Sequence, residues 1–373
     1  MQSVYLVSGE HSGDSHGADL VASMLEQRPE LSIHGLGGPK MKAVAPQVRD
    51  WVDDAAVVGF VEVLKHYSWF KQQFRETLEE IQLLKPAAVV FIDYPGFNLR
   101  LAKALHESGF EGKLIYYISP QVWAWNKKRI PRMAKWLDRM LCLFPFEREI
   151  FENAGLPSRV VGHPIVEELV VADKPIEREK GLVGMFPGSR EREIERLFPV
   201  MLATAKKVQE QHPDWRYVVP VASERFMQRV TEMRDQAGFD DETFSVQLGG
   251  SRELMQRAWC GLVASGTATL EAAYFGLPYS LIYKVAWPTY FLGRLLIKVK
   301  FIGIVNILAG KEVVHEFIQA DAEPCALSDE IIHFMVDEAY HEQIRESLLE
   351  TASKLGEPGA SRRAAAEVLD CLS

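Results

Sequence analysis

Three charged side chains stand at the ends of apolar runs, where chemistry is most easily done. Asp93 follows the run Ala87 to Ile92 and opens Asp93-Tyr94-Pro95-Gly96-Phe97-Asn98. A carboxylate held by Pro and Gly at the mouth of a buried strand is placed to act as a general base. The plainer alternative is a cap on the next helix. Arg190 closes Phe186-Pro187-Gly188-Ser189-Arg190. There backbone N–H groups and a guanidinium can grip a diphosphate, although alone it reads as a solvated surface charge. Glu271 lies four residues after Thr267 in Ser265-Gly266-Thr267-Ala268-Thr269-Leu270-Glu271. One turn above a helix start, its carboxylate can accept the hydroxyls of a ribose, and the alternative for Thr267 is a capping box. Together, Gly188, Ser189, Arg190, Ser265, Gly266, Thr267 and Glu271 resemble a nucleotide-diphosphate site.

A further loop, Ser8 to Gly17, brings Glu10, Ser12, Gly13 and Asp14 to the start of a helix. Small residues admit a ligand close to the backbone, and a helix N-terminus favours anions. It is neither GxGxxG nor a P-loop, and a tight turn capped by Ser12 or Asp14 is the alternative. The ten histidines contain no HExxH or HxH pair, and the four cysteines no CxxC, so no metal site is expected and the thiols read as reduced. His163, in Gly162-His163-Pro164, either faces an interdomain cleft or stiffens a linker.

The elements that must position these residues alternate. Strands are predicted at Val4 to Val7, Ala87 to Ile92, Lys113 to Ile118, Met140 to Leu143, Val183 to Phe186, Tyr217 to Val221, Gly261 to Ala264 and Tyr279 to Tyr283. Helices are predicted at Ser15 to Gln27, Ser68 to Leu84, Asn98 to Ser108, Glu191 to Gln211, Ser223 to Ala237 and Thr267 to Phe275. Short continuous apolar strands alternating with helices predict α/β domains with parallel, doubly wound sheets, whose ligands bind beyond the carboxyl ends of the strands. At 373 residues, two domains are expected, with a boundary in the polar stretch after His163: 1–165, 166–356 and a C-terminal helix in 357–373 able to pack on either.

The net charge of -9 argues against a whole-molecule attraction to nucleic acid but leaves a local basic face open, so an anionic partner must be met locally. Two segments offer that. Trp123 to Arg139 carries Lys127, Lys128, Arg129, Arg132, Lys135 and Arg139 among Trp123, Trp125 and Trp136, and Lys284 to Lys300 carries basic residues without an acid. Such stretches lie on anionic membranes, bind RNA, or are plain solvated helix faces, and the acidic balance with no RNA-binding signature favours lipid over RNA. From Phe60 to Phe74, apolar residues at helical spacing suit membrane or acyl-chain contact, or a core helix. No run is long enough to span a membrane, and the N-terminus lacks the pattern of a signal peptide.

Nine segments in order along the chain resemble the lipid-A-disaccharide synthase family of GT-B glycosyltransferases. They are Ser8 to Asp14, Gly37 to Met41, Val58 to Leu64, Asp93 to Asn98, Ser119 to Trp125, Val161 to Pro164, Pro187 to Arg190, Ser265 to Glu271 and Asn306 to Glu312. The resemblance implies two Rossmann-like domains facing a cleft, the first, membrane-facing, for the acceptor and the second for a UDP-sugar. It implies an inverting hexosyl transfer from UDP-2,3-diacylglucosamine to the 6-hydroxyl of 2,3-diacylglucosamine 1-phosphate, without metal or other cofactor. The products are a β-1,6 disaccharide and UDP. It further implies Asp93 as base, Arg190 at the pyrophosphate, and the Ser265 to Glu271 turn and Asn306 in the donor site. Before Asn306 the chain departs from the family's Ser-Leu-Pro approach, reading Phe301-Ile302-Gly303-Ile304-Val305.

The expected location is cytoplasmic, peripheral on the inner face of the inner membrane. A tail helix able to exchange between chains leaves a homodimer open. The competing readings are another UDP-N-acetylglucosamine-using GT-B enzyme, MurG-like or a non-hydrolysing epimerase, and an inactive nucleotide-binding, membrane-associated protein.

Overall fold

The computed structural model describes residues 2–55, 67–287, 290 and 299–372. The chain divides into two compact units, Met1–Val166 with Gly356–Ser373, and Glu167–Leu355. The first contains strands β1 (Ser3–Ser8), β2 (Ser32–Gly37), β3 (Val48–Asp50), β4 (Ala88–Ile92), β5 (Lys113–Tyr117), β6 (Arg139–Cys142) and β7 (Ser158–Val160). They form one parallel sheet in the order β3-β2-β1-β4-β5-β6-β7. The second contains β8 (Glu179–Phe186), β9 (Arg216–Val221), β10 (Phe244–Leu248), β11 (Ala258–Ala264), β12 (Tyr279–Tyr283) and β13 (Glu316–Ile318), parallel in the order β10-β9-β8-β11-β12-β13.

Burial explains the strands. Every residue of β4 is buried, as β-branched and aromatic side chains covered on both faces of a parallel sheet must be. In each sheet the chain order reverses beside its first strand, because β1 lies between β2 and β4, and β8 between β9 and β11. Connections leaving in opposite directions open a crevice at the carboxyl ends of β1 and β4, and another at those of β8 and β11. The register pairs Ser8 with Ile92 and Val263 with Phe186, so the loops singled out in the sequence leave adjacent strands.

The helices that matter for these loops are α1 (His11–Gln27), α2 (Pro39–Val44), α3 (Tyr67–Leu84), α4 (Pro95–Glu107), α5 (Pro145–Glu152), α6 (Glu191–Gln209), α7 (Ser251–Arg257), α8 (Ala268–Tyr274) and α9 (Ile304–Ala309). The expected start of α1 at Ser15 is corrected to His11, so Ser12, Gly13 and Asp14 belong to a helical first turn. The C-terminal helix Ala360–Asp370 belongs to the first unit. There Arg139 pairs with Glu367 at 2.6 Å and Gln2 Nε2 donates to Leu372 O at 3.0 Å.

Most of the Phe60 to Phe74 segment's first half, and most of Lys284 to Lys300, lie outside the described residues. In the described part of the former, half-buried Trp69 stacks on Trp51 with ring centres 5.8 Å apart, and half-buried Phe74 meets Phe97 edge-on at 5.7 Å. Among the described residues no helix is long and apolar enough to cross a membrane.

Candidate active site

Asp93 is the first residue after β4, and both it and Tyr94 are left-handed, with φ of 45° and 50°. Pro95 at the first position of α4 fixes where the helix begins, and Tyr94, not Asp93, is its N-cap residue. The plainer reading of Asp93 as a side-chain cap is therefore set aside. Its N–H donates to Tyr117 O at 3.1 Å, and its carbonyl accepts from Tyr116 Oη at 2.5 Å and Asn98 Nδ2 at 2.7 Å. Burial, and then the negative field of Glu10, push the Asp93 carboxyl up from 3.8 to about 6. A carboxylate so tuned takes a proton near neutral pH more readily than an ordinary one.

Glu10 is exposed, at the N-cap of α1, and Gly9 before it sits close beside the Tyr94 ring. A Cβ on Gly9 would overlap that ring, which is also held by a bond from Tyr94 Oη to Ala55 O at 3.0 Å and by edge contact with Trp51. Asp14 also has a structural task. Its carboxylate, 2% exposed, accepts from the N–H groups of Gly38, Lys40 and Met41 at 2.7, 2.9 and 2.9 Å, and so caps α2. Gly13 packs beside Ser8. Of the four first-loop residues expected at the acceptor, Asp14 is thus the one whose carboxylate also clamps the start of α2.

The Ser119-Pro120-Gln121-Val122-Trp123 stretch follows β5 and is tied down from below. Glu147 of α5, almost fully buried, accepts from Trp123 Nε1 at 3.1 Å and from the N–H groups of Leu143 and Phe144 at 3.1 and 3.2 Å. Burial pushes its pKa up to about 7. Trp123 is accordingly core, whereas Trp125 is 40% exposed with the Arg129 guanidinium 4.9 Å above its ring. Lys127, Lys128, Arg132 and Lys135 are exposed, so part of this segment is a basic, aromatic surface. His163 Nδ1 accepts from Ile165 N–H at 3.1 Å, and burial lowers its pKa to about 4, which keeps it neutral.

In the second unit the turns after β8 and β11 line one cavity of about 380 Å³, to which Gly188, Ser189, Arg190, Ser265, Gly266, Thr267 and Glu271 all contribute. Gly188 has φ of 101°, and a side chain there would collide with Glu193. Arg190 is the N-cap residue of α6. Its guanidinium, 82% exposed, touches Glu193 Oε1 at 3.1 Å. Glu271 accepts from Arg252 Nε at 2.9 Å. Thr267 makes no side-chain cap bond, which removes the capping-box alternative.

Sequence reasoning missed two further walls, Pro220 to Ala222 at the end of β9 and Gly249 with Ser251 at the start of α7. The adjacent glycines 249 and 250 were the available signal, both at positive φ of 69° and 70°.

Asn306, expected in the donor site, is not among that cavity's lining residues. It is fully buried in α9, and its Nδ2 donates to Val314 O at 2.8 Å and Glu316 Oε1 at 2.9 Å. Its Oδ1 accepts from Val313 and Val314 N–H at 2.7 and 3.0 Å. All four bonding positions of the amide are filled. The departure preceding it is anchored by the same acid, since Ile302 and Gly303 N–H donate to Glu316 at 2.8 and 2.9 Å.

Comparison with known proteins adds to this geometry. A family model described as lipid-A-disaccharide synthetase matches residues 4–368. The lipid-A-disaccharide synthase of Geobacter sulfurreducens is 39% identical over 377 residues, 99% of this chain and 97% of the relative. That of Myxococcus xanthus is 34% identical over the same shares. Among solved structures, MurG of Acinetobacter baumannii aligns with a TM-score of 0.58 at 14% identity, over 99% of this chain and 100% of that one. A UDP-GlcNAc 2-epimerase from Neisseria meningitidis aligns with 0.61 at 11% identity over the same shares. At such identities the structural likeness concerns the fold, which is that of the GT-B proteins.

Proposed function

The chain belongs to the lipid-A-disaccharide synthase family, and as a glycosyltransferase of lipid A assembly we propose that it divides its reaction between a base in the first unit and a diphosphate site in the second. The cavity walled by the turns after β8 and β11 carries this reading, because Arg190, the N–H groups opening α6 and Glu271 are together there. The donor is UDP-2,3-diacylglucosamine, and the acceptor 2,3-diacylglucosamine 1-phosphate. Asp93 takes the proton of the acceptor 6-hydroxyl as that oxygen bonds to the anomeric carbon from the face opposite UDP. The bond to the diphosphate breaks, and its electrons leave with UDP, whose growing charge Arg190 and the α6 N-terminus stabilise. Configuration inverts, and the product is the β-1,6 disaccharide 1-phosphate.

Acylated substrates must be drawn from a bilayer surface. The exposed Trp125 with Lys127, Lys128, Arg132 and Lys135 supports peripheral contact of the first unit with an anionic membrane. The test is a transfer assay offering UDP-diacylglucosamine and UDP-N-acetylglucosamine as donors, with the linkage of the product read by NMR. A β-1,6 product from the acylated donor is expected. Turnover of the unacylated donor alone would overturn the assignment.

A further inference from the structure

Asp93 and Tyr94 are consecutive non-glycine residues in the left-handed region. Each such residue is strained and persists only where its surroundings over-determine it. Two side chains from different elements do so here. Tyr116 reaches across from β5 and Asn98 rises from the first turn of α4, and both donate to the Asp93 carbonyl, at 2.5 and 2.7 Å.

We propose that Tyr116 and Asn98 are positioning residues for the reaction, fixing the Asp93 carbonyl and thereby the direction in which the Asp93 carboxylate points. Asn98 is fully buried, and its Nδ2 also lies 3.2 Å from Val7 O and 3.3 Å from Ile92 O, so it ties Asp93 to the carboxyl ends of both strands flanking the crevice. Tyr116 is fully buried and stays protonated, because burial and the Asp93 charge hold its phenol far above the ordinary range. It can therefore hold the carbonyl as a donor at any working pH. The Asp93 side chain leaves the same residue whose carbonyl the two donors hold, so its aim follows the backbone turn that they set. A general base misaimed by about 1 Å loses on the order of a hundredfold in rate.

This inference rests on the reading of Asp93 as the base. Tyr116→Phe keeps the ring and removes one donor. Asn98→Ser removes the other. In each, kcat is expected to fall about tenfold or more with the KM of both substrates within about twofold, since positioning acts on the transition state. The acidic limb of kcat/KM, set by a carboxyl at about 6, should move to lower pH as the loosened turn lets water reach Asp93. The double variant should lose less than the product of the two single losses, because both donors serve one carbonyl.

Thermal unfolding and UDP binding confirm that each chain is folded, and Tyr116→Phe alone carries the comparison if Asn98→Ser fails that check. Unchanged kcat and an unmoved acidic limb would overturn the proposal, whatever happens to the melting temperature. Asp93→Asn run in parallel separates the two ideas. Near-normal turnover there removes Asp93 as the base, whereas a dead Asp93→Asn beside wild-type-like Tyr116→Phe and Asn98→Ser removes only the positioning role.

Discussion

Arg252 holds Glu271 from Nε at 2.9 Å while its Nη2 reaches Glu168 at 2.6 Å. The side chain of Glu271 is 15% exposed at the cavity wall, so the guanidinium both aims it and offsets its charge beside a site proposed for a diphosphate. Arg252→Met should raise the KM of the UDP-sugar about tenfold, the cost of roughly one charged hydrogen bond. Arg252→Lys should recover little of this, since one ammonium cannot serve two carboxylates from a planar fork. Calorimetry with UDP and donor-dependent rates check it, and equal affinity in all three proteins would contradict the role.

Arg190 starts from a weak commitment. Its contact with Glu193 is exposed, and a pair of that kind contributes less than about 1 kcal/mol, so the guanidinium can turn to a diphosphate at little cost. Arg190→Ala is expected to lower kcat/KM for the donor roughly ten- to hundredfold, matching about 1.5–3 kcal/mol for a charged contact. Glu193→Gln should tighten UDP by a few-fold, because a competing carboxylate leaves the cavity wall. Titration of UDP into both variants reads the two opposite signs.

Asn306 shows what a motif hides. Asn306→Ala would leave the Val313 and Val314 N–H groups buried without acceptors. A loss of about 3 kcal/mol in unfolding free energy follows, with UDP affinity of the still-folded protein within about twofold of wild type. Denaturant unfolding and calorimetry below the melting transition measure the two. A stable variant that no longer binds UDP would restore the residue to the donor site.

What the sequence makes legible follows from burial. The eight strands read from it are continuous apolar runs inside the sheets. Among the described residues five more strands escape it, and four of these are the sheet edges: β3 and β7 each bury one residue in three, while β10 and β13 bury only Phe244 and Phe317. The fifth, β2, carries Gly35 and Gly37, which dilute the signal. In the sites, residues that follow buried strands announce themselves, as Asp93, Arg190 and Glu271 do. Their supports do not. Tyr116 reads as one more core aromatic, and Arg252 as one more helix-surface charge, until the fold brings them beside Asp93 and Glu271. Asp14 and Asn306 show the converse, because a polar residue in a conspicuous motif can hold a turn of backbone through its side chain, which the motif does not reveal.

The raised pKa of Asp93 ties activity to stability with a definite sign. The folded chain holds the proton more tightly than the unfolded chain, about 6 against 3.8, so the group's contribution to stability is full below about 3.8 and is lost as pH rises through about 6. Above that, the fold carries a buried charge at a cost of up to about 3 kcal/mol. Asp93→Asn never carries it. The variant should therefore be inactive yet more stable than wild type at about pH 8, with the difference falling by about half near pH 5 and vanishing below about pH 4. Wild-type kcat/KM should show the same group kinetically, falling about tenfold per pH unit below about 6. Paired unfolding curves at matched pH cancel every other titrating group. A variant less stable than wild type at pH 8, or a stability difference that ignores pH, would mean that Asp93 is not ionised at a cost in the folded protein.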